Sequence, residues 1–209
     1  TMGWVRTGIG WVLAYLLGAL PVGYLITLVF KKVDIRTMGS GHTGGTNVLR
    51  VAGALPAALT ILGDAAKGYM AILVAKAFGG DWPWAGPIGG IAAVVGHNYS
   101  IFLAFKGGVG TMATLGAALA LMPWGALGAV FVALGAIVGT RYASVGSLTF
   151  AGLLPIACAV GVALRAWRWE VLLFTLVTSA LSAWGLRANI RHLREGRERK
   201  IGERVEVPR

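Results

Sequence analysis

The sequence is poor in cysteine and in charged residues. Cys158 is the single cysteine among 209 residues, which excludes an intrachain disulfide and a thiolate metal cluster. Charged residues make up 13% of the chain, whereas a soluble domain carries about 25%. This scarcity excludes an ordinary soluble enzyme.

Apolar residues make up 56% of the chain, and the mean hydropathy is +0.73. Nineteen Lys and Arg against eight Asp and Glu give a formal charge of +11. Such a charge alone suggests nucleic-acid binding, but the hydropathy argues against that partner. We therefore predict an all-α, polytopic membrane protein whose cations collect on the cytoplasmic side.

Seven apolar runs are candidate transmembrane helices. They lie near residues 8–30, 54–78, 85–105, 112–122, 124–139, 145–164 and 169–186. The fourth and fifth runs are short and are separated by Pro123, which favours a tight hairpin. We predict a transmembrane domain over residues 1–186 with cytoplasmic loops at 39–50 and 96–110, followed by a basic cytoplasmic tail over 187–209 whose last dozen residues are frayed.

The distribution of cations predicts the orientation. An arrangement with the N-terminus outside and the C-terminus inside places fourteen Lys and Arg on the cytoplasmic side and three on the other. Tryptophans then fall at the outer helix ends, as an aromatic belt requires. We expect a multi-pass plasma-membrane protein whose polar segments face the cytoplasm.

The first polar segment, residues 39–47, contains four glycines and three hydroxyl side chains before a helix expected to begin near Val48. Such a loop can aim backbone N–H groups at an oxyanion, with a helix N-terminus behind it. Arg50 can add a bidentate contact to phosphate. The alternative is a flexible connection in which Ser and Thr only cap the helix.

Three further features are polar. The Phe105–Gly110 segment repeats the pattern of glycines beside a lysine, and His97 lies upstream of it. Asp64 and Lys67 lie one turn apart inside the second span, where mutual neutralisation is the simpler interpretation and a proton pathway the alternative. Asn189 follows the last span closely, in a basic tail segment typical of a lipid anchor.

Together these segments resemble the bacterial acyl-phosphate:glycerol-3-phosphate acyltransferase (PlsY) family over nearly the whole chain. Residues 39–50 are similar to its first motif, GSGNxGATNxxR, and residues 64–68 to its DxxKG. Residues 96–108 are similar to the second motif, and residues 189–198 to the third, NxxRxxxGxE.

The resemblance implies transfer of a fatty acyl group from acyl phosphate to the sn-1 hydroxyl of glycerol 3-phosphate, giving lysophosphatidic acid. It implies no metal and no cofactor; we expect a monomer or a weak homo-oligomer in the bilayer. The catalytic candidates are Ser40, Arg50, Lys106 and Asn189. The substrate-binding candidates are Gly39, Gly41, Thr43, Gly44, Thr46, Asn47, His97, Gly107, Gly108, Gly110, Arg141 and Ser144.

The chain departs from the family pattern at several polar positions. Val109 and Leu186 stand where the family usually has lysine and histidine, and His42, Gly45 and Ser100 replace the usual asparagine, alanine and proline. The departures keep two alternatives open. One is a divergent paralogue with altered or lost acyl transfer, and the other is a transporter of a small phosphorylated solute.

Overall fold

The computed structural model describes residues 2–203, and the regular structure in that range is helical. The α-helices are α1 (Met2–Ala19), α2 (Val22–Lys31), α3 (Gly45–Ala52), α4 (Ala54–Gly79), α5 (Ala85–Asn98), α6 (Thr111–Leu121), α7 (Pro123–Thr140), α8 (Ala143–Ala163), α9 (Glu170–Gly185) and α10 (Arg187–Arg194). The expected helix near Val48 is α3, which begins at Gly45. Residues 204–209, the end of the predicted tail, lie outside the described residues.

All seven apolar runs contain a helix, but not all are long enough to cross a bilayer. Four segments of the described range are long and apolar enough to cross: Gly3–Lys31 (α1 with α2), α4, α7 and α8. A fifth results if α9 and α10, bent by 56°, are counted together. Helices α5 and α6 have 14 and 11 residues, about 21 and 17 Å against a core of about 30 Å. By length and composition the structure supports four to five spans.

Helix α5 ends at Asn98, seven residues before the predicted end of that run. The chain turns back there, and the amides of Gly107 and Gly108 donate to the carbonyls of Asn98 and His97. A Cβ at Gly107 would collide with the His97 carbonyl, so this close approach requires glycine. The second glycine-rich segment is thus fixed on the end of α5.

The first span is broken between α1 and α2 at Leu20 and Pro21. The break frees carbonyls that distant side chains satisfy: Lys67 Nζ donates to Leu20 at 2.7 Å, and Ser100 Oγ donates to Ala19 at 2.6 Å. Lys67 also pairs with Asp64 at 2.9 Å, as the simpler interpretation of that pair predicted. Ser100, which stands where the family usually has proline, therefore has a structural role through its hydroxyl group.

Small residues let two helix pairs approach closely. Gly18 and Gly96 lie where α1 meets α5, and a Cβ at either would collide with the backbone of the facing helix. Gly68 and Gly116 do the same between α4 and α6. In lipid such contacts replace hydrophobic burial as the main source of helix association.

The two ends of the bundle differ in chemistry. At one end the indole rings of Trp4 and Trp82 lie 5.1 Å apart, and those of Trp84 and Trp169 lie 5.0 Å apart. The glycine-rich loops and α10 lie at the other end. They are attached to the ends of α4, α5 and α9 that are opposite to the tryptophans. The polar residues of the predicted motifs are thus collected at one end.

Candidate active site

Two adjoining cavities lie at the loop end of the bundle. The first cavity has a volume of about 390 Å³ and is lined by α3, α4, α6, α7, α8 and the tail. The second cavity has a volume of about 290 Å³ and lies between the loop at 36–42 and the loop at 98–108. Ser40 and His42 line both cavities and mark their boundary.

The first glycine-rich loop is shaped by Asn47, which is 2% exposed. Its Oδ1 accepts from the Ser40 amide at 3.1 Å, and its Nδ2 donates to the carbonyls of Met38 and His42 at 3.0 and 2.9 Å. Asn47 therefore holds the loop in place, and the Ser40 amide is already engaged within the protein. The loop is therefore better ordered than a flexible connection. Asn47 fixes the shape of the loop and adds no free hydrogen-bond donors for a ligand.

Arg50 points into the first cavity from α3 and is 7% exposed. One guanidinium nitrogen, Nη2, donates to the Arg199 carbonyl at 3.1 Å, while Nε has no hydrogen-bond partner within the described residues. Burial lowers the pKa of Arg50 and nearby Glu198 opposes that shift. A buried guanidinium with an unused donor is suited to an anionic ligand.

The tail folds back onto the same cavity through Glu198, whose side chain is 5% exposed. Its Oε1 accepts from Ser144 Oγ and from Asn189 Nδ2, both at 2.9 Å. The Ile201 amide also donates to the Arg141 carbonyl at 2.8 Å. The expectation of a frayed end is therefore wrong for residues 198–201, because these bonds dock them on α8, on α10 and on Arg141, the residue that follows α7.

The remaining wall of the first cavity is apolar. Its side chains come from α4, α6 and α7 and include Ile61, Met112, Leu115, Val130, Leu134 and Ile137. Leu134 is 53% exposed, so the wall continues onto the outer surface of the helices. The first cavity therefore joins a charged end to an apolar groove.

The second cavity is basic. Arg36, Lys106 and Arg187 line it together with the backbone of Gly107 and Gly108. Arg36 also pairs with Asp34 at 2.6 Å, which holds the pKa of that carboxyl below its usual range. Because Lys106 and Arg187 add positive charge to a small space, this cavity favours a small anion.

Two buried groups behind the boundary come from α4 and α5. Asp64 and His97 line the first cavity, and Asp64 Oδ1 lies 3.5 Å from His97 Nδ1. The His97 carbonyl also anchors Gly108, so its position fixes the second loop. His42 stands in front of them and is half-buried; burial lowers its pKa, which leaves the imidazole neutral near pH 7.

The structure brings most of the predicted site residues together. Those lining the first cavity are Ser40, Gly44, Thr46, Asn47, Arg50, His97, Gly110, Ser144 and Asn189. Those lining the second are Ser40, Gly41, Lys106, Gly107 and Gly108. Gly39, Thr43 and Arg141 line neither cavity in the described part of the chain; the Arg141 side chain is exposed and only its carbonyl contacts the tail.

Sequence reasoning missed His42, Asp64, Glu198, Arg36 and Arg187 as lining residues. Glu198 had a signal, because it ends the stretch similar to the third motif. Asp64 and His42 also had a signal, because they lie in the stretches similar to DxxKG and to the first motif. Arg36 and Arg187 carried no spacing of their own that separates a cavity group from a topogenic charge. Their placement depends on how separate helices pack.

The two apolar departures lie in the first cavity. Val109 and Leu186 both line it, and Leu186 is 5% exposed. A Cβ at Gly185, next to Leu186, would lie 3.2 Å from Val109 Cγ1. Both departures therefore place apolar side chains at the same cavity, and Val109 lies close to Gly185, the residue before Leu186.

Comparisons with known proteins agree with this geometry. A family model described as glycerol-3-phosphate acyltransferase matches residues 9–196. A glycerol-3-phosphate acyltransferase of Halalkalibacterium halodurans is 40% identical over 95% of this chain and 98% of that protein, and one of Thermus thermophilus is 45% identical over 93% and 95%. The crystal structure of PlsY, an integral membrane glycerol 3-phosphate acyltransferase in its glycerol 3-phosphate form, superposes with a TM-score of 0.85 at 36% identity, covering 94% of this chain and 96% of that one. Its lysophosphatidic acid form gives 0.82 at 34% identity over the same shares.

Proposed function

Because the chain belongs to the glycerol-3-phosphate acyltransferase family, we propose that it transfers a fatty acyl group from acyl phosphate to the sn-1 hydroxyl of glycerol 3-phosphate, giving lysophosphatidic acid and inorganic phosphate. This reaction begins phospholipid assembly at the membrane. The proposal favours the acyltransferase over a transporter of phosphorylated solutes.

The observation that carries the proposal is the pairing of the two cavities. Acyl phosphate has an anionic head and an apolar tail, as the first cavity has a charged end and an apolar groove. Glycerol 3-phosphate is small and anionic, and the second cavity is small and basic. With each substrate in its matching cavity, the reacting hydroxyl and carbonyl meet near Ser40 and His42.

The site then acts mainly by positioning and by charge stabilisation. Acyl phosphate is already activated, so holding the hydroxyl against its carbonyl contributes through effective molarity. The negative charge that develops on the carbonyl oxygen needs donors. Arg50 and Ser40 are the candidates from the first cavity and Lys106 from the second, while Asn189 positions the tail through Glu198.

The reaction is tested by release of inorganic phosphate from palmitoyl phosphate, with and without glycerol 3-phosphate, by purified protein in lipid vesicles. Lysophosphatidic acid is identified by mass spectrometry. We expect acceptor-dependent release, a loss of at least about tenfold in Arg50→Ala from the missing charge-assisted contacts, and little change in the exposed Arg194→Ala. Wild-type turnover by Arg50→Ala would contradict the phosphate-binding role of Arg50.

The seven-helix topology is also part of the proposal, with the N-terminus outside and both cavities facing the cytoplasm. The collection of cations and glycine-rich loops at one end and of tryptophans at the other supports it. In a Cys158→Ala background, Asp81→Cys should react with a membrane-impermeant maleimide in intact cells. Thr37→Cys, at the opposite end, should react only after permeabilisation.

We also infer that the active form is a monomer or a weak homo-oligomer in the bilayer. Light scattering of the protein in detergent, corrected for bound detergent, measures the mass of the complex. Activity per chain that stays constant as the protein is diluted into vesicles would agree with the proposal.

The apolar pair Val109 and Leu186 favours a second candidate function, that of a divergent paralogue with altered or lost acyl transfer. Losing charge-assisted contacts costs about 1.5 to 3 kcal/mol each when the partner is buried. If palmitoyl phosphate is not turned over by the wild type but is turned over by Val109→Lys/Leu186→His, the chain is such a paralogue. Equal turnover by both proteins would instead show that other residues supply the missing contacts.

A further inference from the structure

Arg187 lines the second cavity, and the proposed reaction gives it no role. It is the first residue of α10, and its side chain is exposed. None of the ion pairs between described residues involves it. Its positive charge is therefore available to a ligand of the cavity.

The glycine segment of this cavity supplies space and not hydrogen-bond donors. The amide of Gly107 already donates to the Asn98 carbonyl, and that of Gly108 to the His97 carbonyl, both at 3.1 Å. An anion that enters the cavity needs donors, because it gives up hydrogen bonds to water. The two glycines therefore leave the binding of an anion to the side chains around them.

Two of the basic side chains at this cavity are already engaged. The guanidinium of Arg36 contacts both carboxylate oxygens of Asp34, through Nε at 3.0 and 3.1 Å and through Nη2 at 2.6 Å. The ring of His42 is hydrogen-bonded to the backbone of Gly107. The cations of the cavity that have no ion-pair partner among the described residues are Lys106 and Arg187.

The charged group of Arg187 is held in place by Trp184. Its Nη1 donates to the Trp184 carbonyl at 3.0 Å, and its guanidinium carbon lies 4.9 Å from the centre of the Trp184 ring. Trp184 also lines the second cavity. A planar guanidinium that is already oriented loses less entropy when it binds an oxyanion, and it offers further N–H donors in a fork. Arg187 is therefore the better prepared of the two free cations.

The positive charge of Arg187 extends to the boundary between the two cavities. Burial lowers the pKa of His42, which lies on that boundary, and the charge of Arg187 lowers it further. Coulomb interactions weaken with distance, so the guanidinium lies close to the boundary. An anion held by Arg187 therefore stays within reach of the first cavity.

We propose that Arg187 binds the phosphate group of the acceptor in the second cavity and thereby determines the affinity for glycerol 3-phosphate; this rests on the proposed function. The guanidinium fork donates to two phosphate oxygens, and Lys106 adds a second positive charge. The glycerol end of the acceptor then lies toward the boundary at Ser40, where the acyl donor is reached. In this assignment Arg187 is a binding residue and takes no part in proton transfer.

The test measures the kinetics of Arg187→Ala in lipid vesicles, and the binding of labelled glycerol 3-phosphate by equilibrium dialysis without acyl donor. We expect both the KM and the dissociation constant for glycerol 3-phosphate to rise about tenfold, the lower end for a charge-assisted contact because the side chain is exposed. The kcat and the KM for palmitoyl phosphate should change little. Arg187→Lys keeps the charge but lacks the fork, so it should recover part of the affinity.

Arg194→Ala is the matched control, because Arg194 is an exposed cation of the same helix and lines neither cavity in the described range. It should keep the wild-type constants. Wild-type KM and dissociation constant in Arg187→Ala would overturn the proposal. A rise confined to the KM for palmitoyl phosphate would place the phosphate of the donor at Arg187 and overturn the assignment to the acceptor. If the wild type forms no lysophosphatidic acid, the proposed function fails, while the dialysis still tests Arg187 because it needs no turnover.

Discussion

Replacing Glu198 by glutamine should release the tail from the active site. The carboxylate accepts from Ser144 Oγ and Asn189 Nδ2, both at 2.9 Å, with its side chain 5% exposed. Glutamine keeps the shape and one carbonyl oxygen but removes the charge. A hydrogen bond to a charged group contributes about 1.5 to 3 kcal/mol and a neutral one about 0.5 to 1.5, so two bonds lose about 2 to 3 kcal/mol. The undocked tail should then be populated roughly 30 to 150 times more often.

Trypsin reports this population directly. The peptide bond after Arg199 is protected in the docked tail, because Arg50 Nη2 binds the Arg199 carbonyl at 3.1 Å. When opening and closing are fast, the cleavage rate follows the population of the open form. We expect Glu198→Gln to be cut after Arg199 faster than the wild type by the factor above, whereas kcat/KM falls only as far as the docked fraction falls. Mass spectrometry locates and times the cut.

Glu203→Gln is the matched control, since Glu203 is exposed and lies at the end of the same segment. It should leave the cleavage rate after Arg199 close to that of the wild type. If Glu198→Gln and the wild type are cut at the same rate, the tail is held by contacts other than Glu198. The magnitudes assigned to the two hydrogen bonds would then be wrong.

Two further predictions concern stability in detergent, measured by thermal unfolding. Lys67→Met should destabilise the protein by about 3 to 5 kcal/mol, because it leaves Asp64 buried without its partner, and the double variant Asp64→Asn/Lys67→Met should recover much of that loss. Equal melting of the single and double variants would show that the pair is not the cause. Gly116→Val should lower the melting temperature through a collision with the Ala65 carbonyl, costing about 1 to 3 kcal/mol, whereas Gly128→Val faces open space and should not.

The helices could be predicted from the sequence because each depends on local composition. Every apolar run contains a helix, and Pro123 separates α6 from α7 as expected. The end of α5 could not be found this way. It is set at Asn98 by hydrogen bonds from Gly107 and Gly108, while the apolar character of the sequence continues past it.

The site residues could be predicted where they lie in one contiguous motif. They could not be predicted where the fold brings together residues that are distant in the sequence. The glycine-rich loop and Arg50 lie within twelve residues, and the structure places Arg50 and most of the loop at one cavity. Ser144 and Glu198 are 54 positions apart, and Arg50 and Arg199 are 149 apart. Local spacing carries no information about such pairs. The sequence alone therefore predicted a frayed tail, whereas the structure docks it on the cavity.

The buried ion pair of Asp64 and Lys67 in α4 connects the break in the first span to the loops of the candidate active site. Lys67 satisfies the carbonyl freed by the break at Leu20, and it can remain charged there because Asp64 lies 2.9 Å away. Asp64 in turn faces His97, whose carbonyl holds the second glycine-rich loop through Gly108. The break in the first span, the ion pair and the loop of the second cavity therefore form one connected chain of contacts. A substitution at the break should therefore change the KM for glycerol 3-phosphate, the proposed acceptor, although no residue of the break lines either cavity in the described range.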